Sequence, residues 1–132
     1  MNTRNRIVTT LAVIAIGGAV GTALVASAPK RLKGRVLDRS TVCMVNDKVL
    51  SSPQMPVLVG EKTYYGCCAG CVERLNKDRA ARIGTDPVTG REVDKSRAVI
   101  LRGERGTALY FESTDTARRY QETLRSGLSH AG

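Results

Sequence analysis

Large aromatic side chains are scarce in this sequence of 132 residues, which has no tryptophan, one phenylalanine and four tyrosines. Few residues are therefore available to fill an apolar core. Small domains with so little core usually depend on a bound metal, on disulfides or on association for their stability. A stabilising element besides apolar packing is therefore expected.

Histidine is almost absent as well, since His130 near the C-terminus is the only one. Hydrolases that use a Ser-His-Asp arrangement need a histidine beside the nucleophile. A single histidine in the tail gives such chemistry no support. We expect a protein that binds its ligand without catalysing a reaction.

Acidic residues are outnumbered, with 12 Asp and Glu against 21 Lys and Arg and a net charge of +9. Such a balance favours anionic partners, either lipid headgroups or nucleic acid. A basic run at residues 30–35 directly follows a long apolar segment, which favours lipid. No aromatic residues interleave the basic ones, as a stacking platform for bases requires, so nucleic acid is not an expected partner.

The N-terminal segment at residues 7–28 carries no charge. A helix of that length spans about 33 Å, enough for the roughly 30 Å hydrocarbon core of a bilayer. We predict a transmembrane signal-anchor within residues 1–29 and an extracytoplasmic, periplasmic domain after it. Ala26-Ser27-Ala28 also resembles a signal-peptide cleavage site, but Pro29 would then begin the mature chain and disfavours cleavage. Lys and Arg flank both sides, so the orientation stays open.

All four cysteines fall in two places: Cys43 stands alone, and the sequence YYGCCAGC at residues 64–71 holds the others. Grouped thiolates suit a soft or borderline ion, because Cys sulfur is a preferred ligand of Zn(II) and Cu(I). We predict one thiophilic ion, Cu(I) or Zn(II), bound by Cys43, Cys67 and Cys71. Cys68 is a further candidate ligand, and its alternatives are a helix-cap residue or an exchange thiol.

Hairpin and helix signals occur twice along the chain. Gly60-Glu61 separates β-rich runs at 55–59 and 62–65, and a helical pattern follows from Ala69 to near Gly84. Strands at 98–101 and 107–111 are followed by a helix that Ser113 caps. The predicted organisation is a membrane segment at 1–29, a basic linker at 30–40, a cysteine-containing unit at 41–84, a second unit at 85–126 and a tail at 127–132.

The two units can also be laid on each other residue by residue. One constant offset matches the three clustered cysteines, and an offset larger by one residue matches the first cysteine. The matched pairs are Cys43 with Thr89, Cys67 with Glu112, Cys68 with Ser113, and Cys71 with Thr116. This pattern predicts an internal duplication in which the second copy has no metal ligands. The alternative is a chance likeness between two hairpin-helix units.

The cysteine and tyrosine pattern of this chain resembles that of the TRASH and YHS domains, which are small treble-clef-like metal-binding units. The family pattern is a cysteine in an N-terminal turn, a hairpin that ends in an aromatic pair, and Cys-x3-Cys at a helix start. Cys43, the pair Tyr64-Tyr65, Cys67 and Cys71 match it. The resemblance covers about residues 36 to 125, and its second, degenerate half rests on residues 86–90 and 110–113.

The resemblance implies an α+β fold, here a transmembrane helix followed by two small treble-clef-like units of β-hairpin plus helix. It also implies heavy-metal handling: binding, delivery or sensing of copper or zinc, with a metal-transfer protein as partner. One departure affects the ligand set. Related units place a fourth ligand three residues before the first cysteine, and that position is Ser40 here.

Two other functions stay open. A structural zinc site could stabilise a protein-interaction domain. Cys68-x2-Cys71 could instead form a thiol redox pair, although the stretch does not lie in a thioredoxin-like βαβ pattern. The two chemistries differ in one requirement, because metal binding needs Cys43 and redox exchange does not.

Overall fold

The computed structural model describes residues 36–129, and it describes the side chains of residues 36–127. These residues form eight short strands, two α-helices and three single turns of 3-10 helix. Each strand pairs antiparallel with its neighbour along the chain, giving four separate two-stranded hairpins. The elements are β1 (Val42–Cys43), β2 (Lys48–Val49), β3 (Met55–Val59), β4 (Lys62–Gly66), α1 (Ala69–Lys77), β5 (Ile83–Thr85), β6 (Glu92–Asp94), β7 (Val99–Arg102), β8 (Ala108–Phe111) and α2 (Thr114–Ser129).

The hairpin of β3 and β4 forms around the predicted turn. Gly60 has a φ of 61°, which costs glycine little because it has no Cβ. Val59 and Lys62 pair on either side of the turn. The strands predicted here are confirmed, with β4 extending to Gly66. Because Cys67 follows at once, the end of this hairpin sets where the cysteine stretch begins.

Helix α1 begins at Ala69 as predicted but ends at Lys77, well before the predicted end near Gly84. Asp78 stops it: this residue has extended backbone angles, φ −104° and ψ 111°. Its carboxylate also accepts the N–H of Ala80 at 2.8 Å. Asp competes for nearby backbone donors in this way and so favours helix ends. A 3-10 turn follows, and the chain then enters β5.

The order of a short hairpin, a longer hairpin and a helix occurs twice. The two occurrences are not packed separately, because one principal core takes residues from both. Its buried members are Val42, Met44, Val49, Val57, Tyr64, Leu75, Ala81, Val93, Ala98, Ile100, Ala108 and Tyr110. The division predicted between residues 84 and 85 lies inside β5. A smaller cluster of Leu101, Phe111 and Ala117 lies under α2.

The predicted fold class needs correction. Within residues 36–129 no helix is long and apolar enough to cross a membrane, and the longer one, α2, has 16 residues. The structure supports an α+β fold of small hairpins with two helices, in place of a transmembrane helix followed by two treble-clef-like units. The segment predicted to span the membrane, residues 1–29, lies outside the described residues. The predictions of membrane attachment and of a periplasmic location rest on that segment.

Candidate metal centre

Cys43 is the last residue of β1 and is completely buried. The chain turns directly after it, and this turn, residues 44–47, returns as β2. Burial alone would raise the pKa of the Cys43 thiol. The N–H of Asn46, the thiol and N–H of Cys67, and the N–H of Val45 outweigh burial and lower that pKa. Donors aimed at a sulfur stabilise its thiolate form, which is the form that binds metals.

Cys67 and Cys71 come from the junction between β4 and α1. Cys67 follows the last residue of the strand, and Cys71 lies in the first turn of the helix. Residues four apart at a helix start project toward the same side. Gly66 permits the close approach, because a Cβ on it would lie 3.1 Å from the Cβ of Cys71. A larger residue at 66 would push the strand end away from the helix.

The three predicted ligands converge. Cys71 Sγ lies 3.8 Å from Cys43 Sγ and 3.7 Å from Cys67 Sγ. All three sulfurs lie within 4.8 Å of one another. Cys43 and Cys71 are buried, whereas Cys67 is exposed, so one edge of the cluster faces solvent. Cys43, Cys67 and Cys71 thus form a group that could hold a metal ion.

Cys68 has a different place. It is the N-cap residue of α1, and its sulfur accepts the N–H of Cys71 at 3.4 Å. Its Sγ is 3.2 Å from Cys71 Sγ, but it does not belong to the group whose three sulfurs are mutually close. The structure therefore gives Cys68 the role of a cap and a close neighbour to one member of the cluster.

The pKa values of Cys67, Cys68 and Cys71 are shifted in different directions. Burial, followed by the sulfurs of Cys68, Cys67 and Cys43, raises the pKa of Cys71 to about 12. Hydrogen bonds from the thiol and the N–H of Cys71 lower the pKa of Cys68. The neighbouring Cys43 sulfur raises the pKa of Cys67. Because a thiol gives up its proton to bind a metal, binding at this cluster must release protons and weaken as pH falls.

Asn46 also reaches the cluster, which the sequence analysis did not predict. Its Nδ2 lies 3.8 Å from Cys67 Sγ and 3.9 Å from Cys71 Sγ. The sequence shows Asn46 only as part of a turn signal, Asn46-Asp47. A turn signal fixes the backbone and carries no information on where the amide points.

Lys95 fixes the turn that carries Asn46. This lysine follows β6, and its side chain is only 5 % exposed. Its Nζ donates to the carbonyl of Met44 at 2.7 Å and to the carboxylate of Asp47 at 2.6 Å. The ring of Tyr110 lies 4.9 Å from the same ammonium group. The buried ammonium group of Lys95, in the second half of the chain, therefore holds the turn after Cys43. The sequence has no signal that distinguishes this lysine from the exposed ones.

Asp86 is the counterpart of Cys43 in the second half. It is completely buried, and its Oδ1 accepts the N–H of Val88 at 2.8 Å and of Thr89 at 3.4 Å. Its Oδ2 accepts the N–H of Glu112 at 2.9 Å. Burial would raise the pKa of Asp86, but these donors and the Thr116 hydroxyl lower it. The sequence alignment had placed Thr89 opposite Cys43, so that pairing was wrong.

Ser40, the position of a fourth ligand in related units, is held in a 3-10 turn before β1. Its N–H donates to the Asp38 carboxylate at 2.9 Å, and its carbonyl accepts the N–H of Gln54 at 2.7 Å. A serine hydroxyl is also a poor substitute for a thiolate toward a soft ion. The firm donors of the site are therefore the three cysteine sulfurs.

No protein-family model, curated protein or solved structure matches this chain. The resemblance to the TRASH and YHS domains therefore stays a prediction from the cysteine pattern. Three thiolates that converge from a turn, a strand end and a helix start are donors that thiophilic ions prefer, so the residues present fit such an ion.

Proposed function

We propose that this protein binds one copper or zinc ion through the thiolates of Cys43, Cys67 and Cys71, and that it carries, delivers or senses that ion. The observation that supports this is the convergence of the three sulfurs within 4.8 Å. Two of them come from residues 28 positions apart in the chain, so local sequence proximity does not explain their contact. An ion held by this cluster also supplies the stabilising element that a small domain with few large apolar residues needs.

The number of donors favours Cu(I). Structural zinc sites almost always have four protein ligands, whereas soft thiolate donors select Cu(I) without that requirement. With three cysteines, a bound zinc ion would need a fourth ligand from outside the cluster. We therefore expect Cu(I) to displace Zn(II) when both are offered.

The exposure of the cluster favours exchange over permanent storage. Cys67 is exposed while Cys43 and Cys71 are buried, so the ion would be reached from the Cys67 side. A thiolate from another protein can approach there and replace one ligand at a time. This is the property that a delivery protein with a metal-transfer partner needs.

Elemental analysis tests the proposal most directly. The full-length chain is purified under reducing, chelator-free conditions and loaded with Zn(II) or, anaerobically, with Cu(I). We expect one ion per chain, and we expect added Cu(I) to release bound Zn(II). A chain that stays reduced and folded but takes up neither ion would refute the proposal.

Thiol redox exchange is the second candidate function. It is favoured by the Sγ–Sγ distance of 3.2 Å between Cys68 and Cys71, which is the shortest of the sulfur contacts described here. All four cysteines are free thiols. A redox protein would keep its activity after Cys43→Ser, whereas metal binding would be lost.

A further inference from the structure

Asn46 lies where it can cover one side of the cysteine cluster. Its amide nitrogen approaches two of the three sulfurs, those of Cys67 and Cys71, at 3.8 and 3.9 Å. Asn46 itself is exposed, while Cys43 and Cys71 are buried beneath it. The amide therefore covers one side of the cluster, while Cys67 stays exposed on another.

The fold determines this position. Asp47, the next residue, has a φ of 50°, in the left-handed region that few residues other than glycine adopt. The Lys95 ammonium binds the Asp47 carboxylate and the Met44 carbonyl, and the Asp47 carbonyl accepts the N–H of Ala108 at 2.7 Å. Both sides of Asn46 are thus fixed by contacts from the second half of the chain. Its side chain is presented to the sulfurs from a rigid turn.

An amide N–H that points at a thiolate has two chemical effects. It donates a hydrogen bond, which stabilises the negative charge on sulfur. It also brings no lone pair to that side of the cluster, since the amide nitrogen is a donor and only the oxygen accepts. A fourth ligand that approaches from the Asn46 side would have to displace it. Loss of a fourth ligand position weakens the binding of zinc, which takes four ligands, more than the binding of an ion that three thiolates can hold.

We propose that Asn46 determines the metal preference of this site, by covering the side next to Cys67 and Cys71 and so favouring a soft ion bound by three thiolates over Zn(II). This inference rests on the proposed function, because it concerns which ion the cluster of Cys43, Cys67 and Cys71 takes. It assigns a role to a residue that is not itself a ligand.

The test compares Asn46→Asp and Asn46→Ala with the wild type. Aspartate keeps the size of the side chain and replaces the amide by a carboxylate oxygen that can ligate zinc; alanine opens the side to water. Zn(II) and, anaerobically, Cu(I) affinities are measured on the reduced full-length chain by competition with coloured chelators. We expect Asn46→Asp to shift the ratio of Cu(I) to Zn(II) affinity toward zinc by about tenfold or more, and Asn46→Ala to shift it less.

A matched control is Asn76→Asp on the exposed face of α1. It makes the same change of charge, and it should leave the affinity ratio within about twofold of the wild type. Co(II) provides a second measurement, since its visible absorption reports coordination number: Asn46→Asp should give the stronger bands of a four-coordinate site. Thermal unfolding without metal checks that each variant is folded.

The outcomes separate the two proposals. A wild-type chain that binds neither ion refutes the metal-binding function. A wild type that binds both ions, with a ratio that Asn46→Asp and Asn46→Ala leave unchanged, overturns the role of Asn46 while the metal-binding function stands. An equal shift in Asn76→Asp would also overturn it, because net charge would then explain the effect.

Discussion

Cys43 and Asp86 occupy equivalent places in the two halves of this protein. Each lies at the end of a short strand, and in each case the N–H groups of the residues two and three positions further on lower the pKa of the side chain. The N–H of the residue just after the longer hairpin lowers that pKa as well, Cys67 in one half and Glu112 in the other. A carboxylate thus takes the place in the second half that a cysteine side chain takes in the first.

Replacing Asp86 by asparagine should therefore destabilise the second half without affecting metal binding. In one orientation, the NH2 of the introduced amide would face the N–H of Glu112. In the other, it would face the N–H groups of Val88 and Thr89, and those bonds would be lost. Buried charged hydrogen-bond groups cost about 2–4 kcal/mol when mismatched. Chemical denaturation should show a loss of that size, and the folded fraction should keep its metal stoichiometry.

Asp115→Asn is the matched control for that experiment. Asp115 is also acidic and in the same half, but its side chain is 76 % exposed and it pairs with Arg118 on the surface of α2. Surface pairs contribute at most about 1 kcal/mol, so this change should be nearly neutral. Loss of metal from folded Asp86→Asn protein would contradict the prediction, because it would show that both halves contribute to the site.

The four cysteines should not respond equally to substitution by serine. Cys43→Ser, Cys67→Ser and Cys71→Ser should each abolish one-to-one binding, because each removes a sulfur of the convergent group. Cys68→Ser should weaken binding by no more than about tenfold, the range expected for a neighbour of a ligand. Metal content after dialysis, with total thiols counted in parallel, measures this. If binding survived Cys43→Ser and depended on Cys68 and Cys71 alone, the redox function would be favoured instead.

Lys95→Met should weaken metal binding from a distance. The substitution leaves the Met44 carbonyl and the Asp47 carboxylate without their ammonium partner, and the turn after Cys43 loosens. We expect a loss of stability of about 1–3 kcal/mol, mainly from the Met44 carbonyl because the Asp47 side chain is 45 % exposed, and metal affinity about tenfold lower.

Lys77→Met is its control, since Lys77 pairs with Glu73 on the exposed side of α1 with 75 % of its side chain exposed. Calorimetric unfolding and metal competition on both variants give the two quantities. Equal effects of the two substitutions would show that the loss of a positive charge, and not the loss of the anchor, is responsible.

Asp94 should make the fold sensitive to strong acid. Burial alone would raise its pKa, but the Lys62 ammonium, Ser96 and the Tyr64 hydroxyl lower it from 3.8 to about 2. The folded pKa is below the unfolded one, so the stabilisation is complete above about pH 4 and is lost as pH falls toward 2. The side chain is 21 % exposed, and the shift corresponds to about 2 kcal/mol.

Unfolding free energies of the wild type and Asp94→Asn, measured from pH 6 to pH 2, test this. The difference between the two proteins should shrink by about 2 kcal/mol over the acid range, and taking the difference removes the loss of metal that both share. A difference that stays constant with pH would mean that Asp94 has an ordinary pKa in the folded protein.

Much of the site could be predicted from the sequence because its signals are local. Gly60-Glu61 predicts a hairpin, and Cys67 and Cys71 lie one helical turn apart at a helix start. Cys43 was assigned through the spacing typical of such sites. In each case a short-range rule of backbone geometry determines where the residue lies.

The residues that sequence reasoning missed depend on contacts between distant parts of the chain. The sequence shows Asp86 only within residues 86–90 of the second half, and alignment along the chain cannot show that a carboxylate takes the place of a cysteine. Lys95 lies 51 positions from the carbonyl that it binds. The end of α1 was missed because a single Asp78 side chain competes with the helix for backbone donors.

The bond from the Ala108 N–H to the Asp47 carbonyl has a consequence for how metal loading could be observed. It connects β8, which carries no cysteine, to the turn that follows Cys43, and an isolated bridge between Lys48 and Thr107 runs beside it. An amide exchanges its hydrogen only when its bond opens, so loading should slow exchange at Ala108. Hydrogen exchange at Ala108, in the half of the protein that has no cysteine, would then report whether the cysteine cluster holds an ion.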